Sequence, residues 1–176
     1  MRKFLLTLLA ISLLAIPAFG AEPIKIGEIA TVTGDFAAYG VAEVESIKIA
    51  IAEINAAGGV LGRPLEVVMY DCRTRQEDMV NAARRLVEQD KVVAVIGPSG
   101  SGLCIAAAPI FNRGHVAHLG TLPTNPLVTV DESGKVRPYN FRICFLDPYQ
   151  GAIMAQFSYM NLRAKKAARS EERRVG

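Results

Sequence analysis

Short β-branched runs alternate along this chain with longer stretches whose apolar residues recur at helical spacing, and that alternation restricts the possible folds more than any other feature. Residues 24–31 read as a strand. Val41, Val44, Ile47, Ile51 and Ile54 then fall at three- and four-residue intervals until Gly58 and Gly59 end the helix. Residues 65–70 form a second strand, and Met79, Ala83, Leu86 and Val87 give the buried stripe of a second helix, opened by Thr74 and Glu77 at capping-box spacing. Residues 91–96 are almost wholly apolar, as a strand covered on both faces requires. The glycine-rich segment 97–102 leads into a third helix through Phe111, with a kink expected at Pro109, which has no amide donor. Residues 116–119 and 140–146 read as the fourth and fifth strands, and 152–162 as a further helix.

An alternation of this kind predicts an α/β fold, a doubly wound, mostly parallel sheet with right-handed crossovers. In such sheets ligands sit beyond the carboxyl ends of the strands. Residues 31–40, 97–102 and 120–125 each follow such an end, so the three loops converge on one rim. The loop 120–138 is long for a compact domain, which marks it as functional or flexible.

Both ends of the chain differ from this pattern. Arg2 and Lys3, an apolar run over 4–16, and small residues at Ala18, Gly20 and Ala21 have the order of a secretory signal peptide, with the mature chain expected to start at Ala21. At the other end, residues 169–176 are abruptly charged and are expected to be a non-native tail; a solvated helix end is the other reading. The formal net charge is +3, of which Arg2 and Lys3 contribute two and the tail one. Residues 21–168 are therefore neutral, with no basic stripe for nucleic acid. The three cysteines, Cys72, Cys104 and Cys144, are too few for a disulfide framework. One Cys72–Cys104 bridge, or simple burial as small apolar side chains, are both open to them.

The glycine loop resembles several enzyme motifs and fails each on a named residue. Gly97, Gly100 and Gly102 reverse the dinucleotide spacing, Leu103 stands where a phosphate-binding loop needs lysine, and Ser101 stands where a nucleophile elbow needs glycine. The two histidines, His115 and His118, point to opposite faces of an extended segment and make no metal pair. With no base, nucleophile or metal cluster in view, the sequence predicts a binding protein rather than an enzyme, with no cofactor. A serine and free amides at a helix start suit a carboxylate, so Ser101 and Gly102 are candidate ligand contacts; Ser101 as a plain helix cap is the alternative. Thr124 and the backbone of Leu122 offer polar groups on the next loop, and Tyr39 either lines a ligand side chain or closes the lobe.

Residues 54–65, Ile-Asn-Ala-Ala-Gly-Gly-Val-Leu-Gly-Arg-Pro-Leu, resemble the first-helix exit of the periplasmic leucine/isoleucine/valine-binding protein family. Thr33-Gly34, Tyr39-Gly40, Tyr70-Asp71, Ile96-Gly97-Pro98, Ala108-Pro109, Thr124-Asn125-Pro126, Phe141-Arg142, Asp147, Gln150 and Gly151 extend the resemblance over residues 24–168. It implies a two-lobed clamp that captures a small amino acid, branched-chain by default, or a related amide, and delivers it to a membrane ABC permease. By the same resemblance, Ser101 and Thr124 hold the ligand carboxylate, Thr124 and the Leu122 carbonyl help hold its ammonium group, and Tyr39 lines its side chain. Residues 1–20 are then the signal peptide, 21–147 the first lobe, 148–168 the crossover and first helix of a truncated second lobe, and 169–176 the tail. The family's first-lobe disulfide is not cleanly matched, since Cys72 lies near one expected position and Cys104 several residues beyond the other. The ectodomain of a sensor or receptor, which uses the same fold, is the alternative function.

Overall fold

A computed structural model describes residues 22–167. The expected signal peptide and charged tail fall outside these residues. Strands β1 (Ile24–Ala30), β2 (Leu65–Asp71), β3 (Ala94–Ile96), β4 (Ala117–Gly120) and β5 (Asn140–Arg142) form one sheet in the order β2-β1-β3-β4-β5. Every pairing is parallel, so each connection is a crossover, as the alternating pattern predicts. The order reverses at β1, where the chain leaves toward β2 on one side and returns to β3 on the other. That switch point opens a crevice at the carboxyl ends.

The connecting helices are α1 (Ala37–Ala56), α2 (Gln76–Arg84, continued by a π-helical turn Arg85–Asp90) and α3 (Ser101–Gly114). The main core lies on one face of the sheet, where Ile29 and Val95 meet Met79, Ala83 and Leu86 of the α2 segment and Leu103, Ala107 and Phe111 of α3. Gly27 belongs to this face: a β-carbon there would come within 2.8 Å of Leu86. Glu28, its neighbour on the strand, points to the other face, toward α1.

Five local expectations change, the first being that the last helix begins at Asp147 rather than at 152 and ends at Met160. Thr74 does not cap α2; it takes a left-handed conformation (φ 59°), and its hydroxyl accepts from the Phe36 amide and donates to the Thr33 carbonyl. The N-cap is instead Arg75, with no side-chain cap bond, because the threonine is used to anchor the loop after β1. The third strand begins three residues late, since Lys91 adopts a left-handed conformation that closes the π-helical turn. The fifth ends at Arg142, where the Ile143 amide turns to the Gly120 carbonyl (3.3 Å). Helix α3 runs through Pro109 to Gly114.

Cys72, Cys104 and Cys144 are free thiols, so the Cys72–Cys104 bridge is not formed. Both of those residues are fully buried, and burial pushes the Cys72 thiol up to about 11, the behaviour of a small apolar side chain.

The sheet is covered unequally. Helix α1 lies against β1 and β2, whereas on the same side of β3–β5 Ile96 and Leu119 are only partly covered and Phe141 is exposed. Helix α4 (Asp147–Met160) has no buried residue, and it shows Ile153, Met154, Phe157 and Met160 to solvent. Contiguous apolar surface of this kind drives association. The isolated chain is therefore expected to elute in size-exclusion chromatography with light scattering as a concentration-dependent oligomer. Phe157→Glu with Ile153→Lys should shift it toward monomer; a wild-type monomer with strongly protected α4 amides would contradict this.

Candidate functional site

Three loops meet at the carboxyl ends of the strands. The first, after β1, is pinned by hydroxyls: Thr33 Oγ1 donates to Asp71 Oδ2 (2.6 Å), and Thr31 is fully buried beneath the start of α1. Gly40 in the first turn of α1 rides directly over Thr31, where a β-carbon would come within 2.3 Å of the Thr31 carbonyl oxygen. Glycine at this point lets the helix start close to the sheet.

The second loop, residues 97–102, is held from below. His118 on β4 is fully buried, its ring stacked on Phe111 with centroids 4.4 Å apart, and its Nε2–H donates to the Gly97 carbonyl (2.7 Å). Burial keeps its pKa below the ordinary imidazole value, so it is a neutral structural ring. Gly97 has φ 86° and lies against the Ile29 carbonyl, a conformation and a space that only glycine fits. Gly100 is the N-cap of α3 and makes no side-chain cap bond, and Ser101 is the first helical residue. Ser101 therefore does not cap its helix. Its Oγ instead accepts from the Asn125 amide at 3.4 Å, a long bond.

The third loop opens with residues 121–125. Asn125 caps the short 3-10 turn Pro126–Val128 by accepting from the Leu127 amide (2.9 Å). Arg142 at the end of β5 donates to the Asn125 carbonyl (2.7 Å) and to Thr129 Oγ1 (2.9 Å), so this part of the long loop is anchored. The Thr124 carbonyl accepts from the Asp147 amide (3.1 Å), at the point where α4 begins.

The candidate residues fall into two neighbouring groups. Tyr39, 59% exposed, and Leu122, 49% exposed, line one open groove of about 340 Å³ together with Ile47, Ser99, Thr121 and Ile143. Ser101 accepts from the amide of Asn125, the residue after Thr124, with Gly102 exposed beside Ser101; Ser101, Gly102 and Thr124 do not line that groove.

Sequence reading missed Glu43. Its Oε1 accepts from Thr121 Oγ1 (2.8 Å) and its Oε2 from Ser99 Oγ (3.0 Å), placing one carboxylate between the second and third loops. Burial raises its pKa, and the two hydroxyl bonds act against that rise. A signal was present: Tyr39, Glu43 and Ile47 stand at four-residue spacing and share one face of α1. Among the described residues no group of three or more histidine, cysteine, aspartate or glutamate side chains is arranged to hold a metal ion.

The periplasmic binding protein family model matches residues 23–168. The chain belongs to that family. It is 32% identical to an amino acid binding protein of Pseudomonas aeruginosa over 95% of its own length and 44% of the relative's. It is 30% identical to the Leu/Ile/Val-binding protein BraC3 of Rhizobium johnstonii over 93% and 43% of the two chains. Among solved structures, it resembles the branched-chain amino acid transporter substrate binding protein LivJ of Streptococcus pneumoniae, in complex with isoleucine, with TM-score 0.75, 35% identity, and coverage of 82% and 40%. The leucine binding protein LivK of Thermotoga maritima gives TM-score 0.68 at 39% identity, covering 81% and 38%. The chain thus spans less than half the length of the relatives it matches. Their fold is the one found here, a parallel α/β sheet of the type I binding-protein class.

Proposed function

We propose that the protein captures a small amino acid, branched-chain by default, or a related amide, outside the cytoplasmic membrane and hands it to an ABC permease. The observation that carries this is the convergence of hydroxyls, helix-start amides and an apolar groove on one rim of the sheet. That combination suits a ligand with a carboxylate at one end and an aliphatic side chain at the other. Ser101 and Thr124 supply hydroxyls for the carboxylate, aided by the amides of Ser101 and Gly102 at the positive end of α3. Thr124 and the Leu122 carbonyl help receive the ammonium group, and Tyr39 covers the side chain.

Support comes also from relatives named for leucine, isoleucine and valine, and from the isoleucine complex of LivJ. In this reading, residues 1–20 direct export, 21–147 form the first jaw of a clamp, and 148–168 open the second. The exposed apolar face of α4 is consistent with a helix made to pack in that second jaw. We assign the protein no reaction and no cofactor.

The test is calorimetric titration of the protein, extended to the length of its relatives, with leucine, isoleucine and valine, then with amides and small carboxylates. Saturable binding of one ligand per chain with an apolar preference is expected. No heat from any aliphatic amino acid or amide would overturn the proposal.

A further inference from the structure

We propose that Glu43 is a positioning residue for ligand capture: its single carboxylate sets the spacing between the loop carrying Ser101 and the loop carrying Thr124. This rests on the ligand reading above and extends it to a residue that lines the same groove and joins two of its loops.

The geometry is specific. Both carboxylate oxygens are used, one toward each loop: Oε2 receives the Ser99 hydroxyl at 3.0 Å and Oε1 the Thr121 hydroxyl at 2.8 Å. An ionised carboxylate accepts on both oxygens at once, whereas a protonated one gives up part of that capacity. Ser99 is two residues before Ser101, and Thr121 is three before Thr124, so each tether acts close to a ligand-binding hydroxyl. The carboxylate also lies close to the backbone of the second loop, since a β-carbon on Gly97 would come within 2.9 Å of Oε1. Glu43 is borne by α1, whose own start is fixed to β1 through Gly40 and Thr31. Two of the three rim loops are therefore referenced to one side chain on α1. A binding rim built from three separate loops needs such a reference, because displacement of a donor by about 1 Å forfeits much of a charge-assisted bond.

The experiment is hydrogen exchange on the ligand-free chain, comparing wild type, Glu43→Ala, Glu43→Gln, Ser99→Ala/Thr121→Val, and that double variant combined with Glu43→Ala. In Glu43→Ala, amides of residues 97–102 and 120–125 are expected to exchange about tenfold faster, while those of β2 keep their rates. Glu43→Gln preserves volume and one acceptor, so it should lie between the two and remain folded even if the alanine variant does not. Adding Glu43→Ala to the double hydroxyl variant should change little, because all three side chains act as one unit.

Unchanged loop exchange, acceleration spread evenly over the sheet, or effects that simply add would each overturn the proposal. In the protein extended to full length, Glu43→Ala should weaken leucine or isoleucine binding roughly tenfold. Because exchange is read without ligand, the two ideas fail separately. Local loop acceleration beside a wild-type protein that binds no amino acid would support the tether and overturn only the ligand reading.

Discussion

Glu28→Gln is expected to stabilise the protein by roughly 3 kcal/mol at pH 8 and to leave it nearly unchanged at pH 4. Glu28 lies in the middle of β1, is 2% exposed, and its Oε1 has no hydrogen-bond partner. Burial chiefly, and then the nearby Glu43 charge, raise its pKa from 4.5 to about 7, while Lys48 pulls the other way. The folded state thus holds this proton more tightly than the unfolded state does. That contribution is fully present below pH 4.5 and is lost as pH rises through about 7. Glutamine keeps the shape of the protonated acid and has no proton to lose. His118 acts in the opposite direction: its pKa is lowered by burial, so its contribution is present above the ordinary imidazole range and lost as pH falls. The effect of Glu28 must therefore be read as the difference between wild type and Glu28→Gln in urea unfolding across pH 4 to 8. A difference that stays flat over that range would show that Glu28 is ionised at no cost.

Phe111→Ala is expected to cost about 3 to 5 kcal/mol, the usual range for removing a buried aromatic ring. Phe111 is fully buried where α3 crosses the sheet, and its ring stacks on His118 at an interplanar angle of 17°. Deleting it leaves a cavity in the main core and also frees the imidazole that holds the Gly97 carbonyl. Since domains of this size are stable by about 5 to 15 kcal/mol, the variant sits near the unfolding threshold. Phe111→Leu should lose less, because it leaves a smaller cavity. Thermal unfolding of both separates the outcomes, and a loss below 1 kcal/mol for alanine would place the ring outside the core.

The order of strands and helices was legible because the strands are short β-branched, apolar runs and the helices between them carry a period of three to four. Val44, Met79, Ala83 and Leu86 are buried as that pattern requires. The capping role given to Thr74 failed for a reason local pattern does not contain, since the hydroxyl is used by Thr33 and Phe36, which are distant in sequence. Ser101 failed as a cap in the same way: Gly100 occupies that position, and the serine turns to Asn125. Which loops form the rim could be read from strand ends alone, but the carboxylate that joins them could not. Glu43 becomes visible only when residues 43, 99 and 121 are brought together by the fold. Glu28 left a fainter mark, a lone acid set between Ile26-Gly27 and Ile29-Ala30 in the later part of its strand.

Ligand affinity and stability measured together on Ser101→Ala and Thr124→Val, in the protein extended to the length of its relatives, separate a ligand-binding role of the two hydroxyls from a structural one. Each hydroxyl is assigned a charge-assisted bond to the ligand carboxylate, worth about 1.5 to 3 kcal/mol, so either change should weaken binding roughly tenfold or more. The unfolding midpoint should move little, because Ser101 does not cap α3. Affinity held at the wild-type value in both variants, for every amino acid, amide and small carboxylate that binds, would contradict the account.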